Sequence, residues 1–230
     1  ARDLLNSRDQ LLERVSAREV LVRRFRLGVT ELTALTWLPA LVEALRQTYP
    51  KVQIEPSVEL SSELFRKLES DQLDLVIVPD VYSDPRFHST PLQCVKNAWM
   101  CSPGLIPDVD PISLETLASY TVLTQGAQSG TGMIYERWLA ANNVQLPRTL
   151  TSHNLLVQAG LALSGIGVSY LPLACLSHLI EQGTLRALVT EPVLPDIQYV
   201  ALHRMDRQYG LNQEVAQLAQ ACCNFSRLLF

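Results

Sequence analysis

The sequence predicts an α/β fold, because strand patterns and helix patterns alternate along the chain. Two strand–turn–helix units open with similar polar turns, at residues 30–33 and 125–132. A nearly unbroken apolar run at residues 73–78 is typical of a strand that is covered on both faces. Alternating strands and helices with short connections indicate a mostly parallel sheet with helices packed on its faces.

The composition excludes several classes of protein. With 230 residues, 47% of them hydrophobic and 18% charged, the chain is not disordered and buries a core in one large or two small domains. A net charge of -4 argues against a direct grip on nucleic acid phosphates. No apolar run reaches the ~18 residues of a membrane span, so no membrane contact is predicted. Five cysteines without C-x-x-C spacing predict reduced thiols and a cytoplasmic protein.

Residues 1–19 carry the pattern of an amphipathic helix. Leu4, Leu11 and Val15 form an apolar seam that Arg8 interrupts. Two interpretations stay open. The helix packs on the body of the chain itself, or it is the end of a longer helix that joins an upstream domain to this one. The start without methionine favours the second interpretation.

The elements that follow can be read in order from periodicity, caps and breakers. In the first half we expect a strand at residues 27–29, a helix that Pro50 ends after Tyr49, a strand at residues 52–58, a helix from Ser61 or Ser62 to about Ser70, a strand at residues 73–78, a polar segment at residues 80–91, and one long or two short strands at residues 92–101. In the second half we expect helices at about residues 113–118, 133–142, 153–163, 173–182 and 212–225, and strands at residues 121–124, 150–152, 168–171 and 198–203.

The two polar turns are the candidate binding sites. The first N–H groups of a helix have no intrahelical partner and carry positive partial charge, so they can hold a carboxylate. Thr30 and Thr33 would add hydroxyls in the first turn; the alternative is that they only cap the helix. In the second turn, Gln128, Ser129 and Thr131 offer side-chain partners, and the alternative is a flexible loop with an ordinary cap. Its glycines match no nucleotide-binding motif.

The chain offers places to bind but no evident reactive residue. The four histidines, including His88 and His153, are isolated from one another and from cysteine, so the sequence predicts no metal site. It contains no nucleophile motif, and no paired carboxylates suggest hydrolysis. We therefore predict no catalytic residue and no cofactor. A binding module is favoured over an enzyme.

Three stretches, in this order and spacing, resemble the effector-binding region of LysR-type transcriptional regulators. They are LGVTELTALTWLPALVEALRQTYPKVQIE, LESDQLDLVIV and GIGVSYLP, and the likeness extends over about residues 26–202. A glycine that is usual before the second strand motif is replaced here by Ser70, Asp71 and Gln72. Aspartate tolerates a left-handed turn, so this departure does not threaten the fold.

The resemblance implies an α/β fold of two Rossmann-like lobes joined by crossing strands, similar to type 2 periplasmic binding proteins. On that reading residues 1–24 are the end of a linker helix, residues 25–97 plus 199–230 form the first lobe, and residues 98–198 form the second. The long helix after residue 35 would pack against the second lobe of a partner subunit in a homodimer or homotetramer. Promoter DNA would be bound only through an N-terminal domain that these residues lack.

The resemblance also implies an effector in the cleft between the lobes. The expected ligand-binding residues are Thr30, Glu31, Leu32, Thr33, Val78, Pro79, Gln128, Ser129, Gly130, Thr131, His153, Gly167 and Val168. Helix N-termini without lysine or arginine favour a small organic acid, a carboxylate-like anion. Glu31 would repel that anion, so we expect it to face solvent or the hinge, or to contact an amine on the ligand. The alternative function is an exported solute-binding protein that serves a transporter.

Overall fold

The computed structural model describes residues 23–206 and 209–229. The helix predicted at residues 1–19 lies outside these residues. The strands are β1 (Arg23–Val29), β2 (Val52–Val58), β3 (Leu75–Pro79), β4 (Phe87–Val95), β5 (Asn97–Cys101), β6 (Ile112–Ser113), β7 (Val122–Thr124), β8 (Thr149–Thr151), β9 (Val168–Pro172), β10 (Arg186–Leu188), β11 (Thr190–Glu191) and β12 (Ile197–Arg204). The α-helices are α1 (Glu31–Thr36), α2 (Leu38–Thr48), α3 (Ser61–Glu69), α4 (Leu114–Ala118), α5 (Gly130–Ala141), α6 (Leu155–Leu163), α7 (Ser177–Glu181) and α8 (Tyr209–Cys222).

Two five-stranded sheets organise the chain. The first has the order β2-β1-β3-β12-β4 and the second the order β10-β5-β9-β7-β8. The chain passes from the first sheet to the second at Lys96, between β4 and β5, and returns along β12. The predicted two-lobed α/β fold is therefore confirmed. All five residues of β3 are buried, as the apolar run predicted.

Each sheet is mixed, which corrects the expectation of a mostly parallel sheet. Strands β2, β1 and β3 run parallel in the first sheet, and β8, β7 and β9 in the second. Strand β12 is antiparallel to both β3 and β4, and β5 is antiparallel to both β9 and β10. The parallel strands of each sheet all end at the same edge. Strands β12 and β5 bring the chain in from the other lobe and enter their sheets at that edge, so they run in the opposite direction.

The long helix that was expected to end at Tyr49 is interrupted at Trp37. Pro39 follows as the second residue of α2, and proline has no N–H to donate to the carbonyl four residues earlier. That carbonyl belongs to Leu35, and it accepts the N–H of Leu229 instead, at 2.9 Å. The break in the helix thus creates a docking point for the C-terminal segment.

Other differences from the predicted elements have local causes. Helix α5 begins at Gly130 because Ser129 is its N-cap. The expected helix at residues 173–182 starts as a 3₁₀ turn, Ala174–Leu176, before α7. Strand β4 begins at Phe87, inside the segment at residues 80–91 that is expected to be polar. Strands β6 and β11 have two residues each, which is too few for an alternating apolar pattern to show in the sequence. Asp71 has a φ of 59°, so the left-handed turn expected there is confirmed.

The cysteines are free thiols in different environments. Cys101, Cys175 and Cys223 are buried, whereas Cys94 is exposed. Within the parts of the chain that the structure covers, no helix is both long enough and apolar enough to span a bilayer.

His203 is a buried titratable group in the first lobe. It lies on β12 directly across from His88 on β4, with 5.2 Å between the ring centroids. Its exposed fraction is 0%. Burial lowers the pKa of His203, because the protonated ring is poorly solvated there, and the nearby imidazole of His88 acts in the same direction.

This lowered pKa predicts a loss of stability in mild acid. In the unfolded chain a histidine gains its proton near pH 6.5, above the folded pKa, so the unfolded state binds more protons as pH falls below that value. The free energy of unfolding should therefore decrease from pH 7.5 to pH 5.5, and His203→Gln should flatten this dependence. Urea denaturation at both pH values measures it, with exposed His178→Gln as control. Equal slopes in wild type and His203→Gln would contradict the assignment.

Candidate functional site

A cavity of about 300 Å³ lies between the two sheets, at the carboxyl ends of their parallel strands. Ligands of open α/β sheets bind at this end of the strands, where connections diverge. From the first sheet the lining residues are Thr30, Glu31, Leu32, Val58, Glu59, Leu60, Ser61 and Pro79. From the second they are Gln125, Ser129, Thr131, His153, Asn154, Leu155 and Pro172, and the crossing segments add Val95, Asn97 and Tyr199.

The cavity brings together seven of the residues predicted from the sequence: Thr30, Glu31, Leu32, Pro79, Ser129, Thr131 and His153. The other six lie outside its wall. Thr33 and Val78 are fully buried in the first lobe, and Gln128 faces solvent. Gly130 packs on Pro79 behind the wall. Gly167 and Val168 lie at the start of β9, whereas the cavity is at its other end, near Pro172. Ligand contact by any of these residues stays a prediction.

The start of α1 supplies N–H groups to the cavity. Thr30 is the N-cap, and its side chain makes no capping bond. The first intrahelical bond runs from Ala34 N–H to the Thr30 carbonyl, at 3.0 Å. The N–H groups of residues 31–33 therefore have no acceptor within the helix. Glu31 and Leu32 line the cavity, so their N–H groups are the donors of this turn that can receive an anion there.

The start of α5 is capped from within the protein. Ser129 Oγ accepts the N–H of Gly132 at 3.4 Å and donates to Gln125 Oε1 at 2.6 Å. Gly130 N–H donates to Ser61 Oγ, at 3.0 Å, across the cleft. The hydroxyl of Ser129 is thus an ordinary cap, as the alternative interpretation held, and Thr131 is left as the hydroxyl that faces the cavity.

Glu31 reaches the other lobe, a contact that the sequence did not predict, and its contact with an amine on the ligand stays a prediction. Its Oε2 accepts the N–H of Leu155, at 2.7 Å, at the start of α6 in the other lobe. The backbone N–H of Leu156 also bonds it. A helix N-terminus has unpaired N–H groups and a positive partial charge, so it attracts a carboxylate. Burial raises the pKa of Glu31, and the two backbone bonds oppose that rise.

A further backbone bond joins the lobes beside these two contacts. Ser62 N–H donates to the Gln128 carbonyl, at 3.2 Å. The two lobes can approach closely at this point because residue 130 is glycine: a Cβ there would lie 2.9 Å from Cβ of Pro79. The two lobes therefore meet on either side of the cavity in a closed arrangement.

Tyr199 is the most consequential of the eleven lining residues that sequence reasoning missed. It lies on β12, where the chain crosses between lobes, and only 3% of it is exposed. Its hydroxyl hydrogen bonds to the side chains of Thr30 and Thr131, one from each lobe. Burial raises the pKa of Tyr199 to about 12, so the phenol is neutral near pH 7. The strand pattern predicted burial but gave no sign that the hydroxyl meets both turns.

The cavity wall has an acidic balance. Besides Tyr199, its ionisable side chains are Glu31, Glu59 and His153, and no lysine or arginine belongs to the described residues that line it. Lys67 lies just outside and forms an ion pair with Glu59. His153 Nδ1 is 2.6 Å from the Gln125 carbonyl oxygen, which fixes the ring. In the described ranges no group of three or more histidine, cysteine or acidic side chains is placed to hold a metal.

Comparison with known proteins decides the family. The sequence profile of the LysR substrate binding domain matches residues 18–222. The chain belongs to this family. This match does not favour the exported solute-binding protein that the sequence left as an alternative. No curated protein matches the chain significantly.

Solved structures show the same fold. The regulatory domain of MetR, a LysR family regulator from N. meningitidis, is 18% identical, with a TM-score of 0.74 over 90% of this chain and 96% of that one. The Synechocystis CcmR regulatory domain in complex with 2-PG is 17% identical, with a TM-score of 0.73 over 88% and 98%. The effector-binding domain of QuiR in complex with shikimate is 17% identical, with a TM-score of 0.72 over 86% and 95%.

The bonds of Tyr199 predict a measurable stabilising role. Tyr199→Phe keeps the ring but leaves the Thr30 and Thr131 hydroxyls without this partner, so the free energy of unfolding should fall by about 1–3 kcal/mol. Urea denaturation followed by fluorescence measures the change. Tyr120→Phe is the control, because the hydroxyl of Tyr120 makes no hydrogen bond to the described residues. An equal change in both variants would mean that the hydroxyl of Tyr199 does not link the turns.

Proposed function

We propose that this LysR effector-binding domain senses a small organic acid in the cavity between its lobes. The observation that carries the proposal is the wall itself: Glu31 and Leu32, whose N–H groups have no acceptor within the helix, line the cavity beside the hydroxyls of Thr30, Thr131 and Tyr199. Neutral donors that converge in a closed cleft suit one carboxylate. A polyphosphate would require cationic side chains, which this wall lacks.

The rest of the cavity suits a small, partly apolar body. Leu32, Leu60, Pro79 and Leu155 line it, so the ligand can bury apolar surface beside its polar end. A volume of about 300 Å³ is at the lower end of the range for small-molecule sites. These features favour a compact acid over a long chain or a dinucleotide.

Two structural neighbours support the class of ligand. CcmR is described with 2-PG and QuiR with shikimate, which is a hydroxylated carboxylic acid. The present chain shares their fold at low identity, so the analogy extends to the type of site and not to the compound. The effector of this domain is proposed from its own donors.

Binding would act by stabilising the closed arrangement. A ligand that contacts both α1 and α5 favours the conformation in which the lobes meet, and shifts the population toward it. In this proposal the domain catalyses no reaction and works in the cytoplasm. Promoter DNA would be contacted by a separate N-terminal domain of the regulator, because a net charge of -4 disfavours binding of phosphates by this chain itself.

Ligand binding can be tested with a panel of small carboxylic acids. The acid that most raises the melting temperature should bind wild type, and its carboxamide, which lacks the negative charge, should not. Thr30→Val and Thr131→Val should each weaken binding by about 1–3 kcal/mol, because each removes a hydroxyl that faces the cavity. Calorimetry measures the affinities. Ser113→Ala, which alters a helix cap away from the cavity, is the control. Unchanged affinity in both threonine variants would move the site elsewhere.

We also propose that the domain self-associates through α2 and α6. The apolar side of α2 is less exposed than expected, since Leu41 and Leu45 are buried and α8 packs on the helix. The larger exposed apolar face is on α6, where Leu156 is 41% and Val157 50% exposed, and a Cβ on Gly160 would meet nothing within 4 Å. A two-fold dimer with α2 of each subunit against α6 of the other would cover both faces.

A bulky charge on α6 should break this dimer. Gly160→Arg places a cation in the centre of the exposed face without a clash inside the subunit, so the dimer should dissociate at tens of micromolar protein. Light scattering should change from about 51 kDa, twice the 25.7 kDa chain, to the monomer mass. Glu181→Arg, a charge change on α7, is the control. A wild-type monomer, or a Gly160→Arg dimer of unchanged mass, would contradict the interface.

A further inference from the structure

A simple carboxylic acid as ligand does not explain why the cavity wall contains acidic side chains and no lysine or arginine among the described residues. Glu31 and Glu59 line the cavity, and no lysine or arginine does so among the described residues. A carboxylate bound at the start of α1 would lie near negative side chains in a partly buried site. Like charges repel there more strongly than in water, because the surroundings screen them poorly.

The two carboxylates differ in what balances their charge. Glu59 is paired with the ammonium of Lys67. Glu31 accepts only backbone N–H groups, those of Leu155 and Leu156, and no ion pair to it is found in the described part of the chain. A carboxylate has about four acceptor positions, so two N–H bonds leave capacity for another donor. Glu31 thus brings to the cavity a negative charge that backbone N–H groups stabilise but that no cationic side chain in the described part of the chain balances.

The position of Glu31 is set from both lobes. Its backbone begins α1, the helix whose free N–H groups face the cavity, and its carboxylate is held by the start of α6. An anion site and a fixed carboxylate are therefore neighbours on one helical turn. A ligand that carries a carboxylate and a cationic group on the same carbon atom would bind both. An α-amino acid has this arrangement, since one carbon joins its two charged groups.

We propose that Glu31 is a specificity-determining residue that selects a zwitterionic α-amino acid with an apolar side chain. This inference rests on the proposed function and narrows it. The carboxylate of the amino acid binds the first N–H groups of α1, its ammonium binds Glu31, and its side chain packs against Leu32, Leu60 and Pro79. The bond between Glu31 and α6 then links ligand recognition to the contact between the lobes.

Matched ligand pairs test the inference on the wild-type domain. A thermal-shift screen compares the common amino acids with acids that lack only the amine, such as L-leucine with 4-methylpentanoate and L-phenylalanine with 3-phenylpropionate. An amino acid should stabilise the domain and bind at least ~10-fold more tightly than its partner, which is the expected range for a charge-assisted contact. If the plain acids bind equally well or better, the role of Glu31 is refuted and the proposed function stands. If no member of either set binds, both fail.

A charge-neutral variant tests the residue itself. In Glu31→Gln the amide oxygen can still accept the N–H of Leu155, so the contact between lobes is kept while the charge is lost. The amino acid should bind ~10-fold or more weakly, and the acid without the amine should bind no worse. Glu63→Gln, which removes a carboxylate from α3 outside the cavity, should change neither affinity. Unchanged amino acid affinity in Glu31→Gln would overturn the inference; if that variant does not fold, the wild-type pairs decide.

Discussion

The site depends on helix N-termini that face each other across a cleft. Parallel strands end on this side in both sheets, and the helices that follow them begin there with N–H groups that have no intrahelical partner. Such groups must be satisfied when the lobes close. Ser61 and Glu31 of the first lobe satisfy α5 and α6 of the second, so the closed arrangement is built from the caps of its own helices.

The same constraint identifies which helix start remains for a ligand. The protein itself bonds the N–H groups of Gly130 and Gly132 in α5 and of Leu155 in α6, whereas Glu31 and Leu32 at the start of α1 line the cavity. Tyr199 connects the two sides at the back of the cleft, since its hydroxyl bonds a threonine from each lobe. In the proposed function, a ligand at α1 would touch the hinge strand, the cross-cleft contacts and both lobes at once. Closure of the lobes would then respond to a small molecule.

The sequence predicted the fold more fully than the site. Apolar runs and caps gave most strands and helices, because these depend on local periodicity. The antiparallel strands and the interruption at Trp37 depend on where the chain returns and on what replaces a missing N–H at Pro39, which local patterns do not record. The turn with Thr30 was recognised because helix starts have a signature. The partner of Glu31 lies 124 residues away in the chain, so no local pattern indicates it.

Amide hydrogen exchange is the most direct test of the central claim, that a small acid binds at α1 and favours closure of the lobes. The measurement compares the free domain with the domain saturated by the acid that most raises its melting temperature. The account predicts slower exchange at residues 31–33 and at the cross-cleft donors Ser62, Gly130 and Leu155, with little change on the exposed face of α6. Slower exchange at that face alone, with none at the cleft, would contradict it.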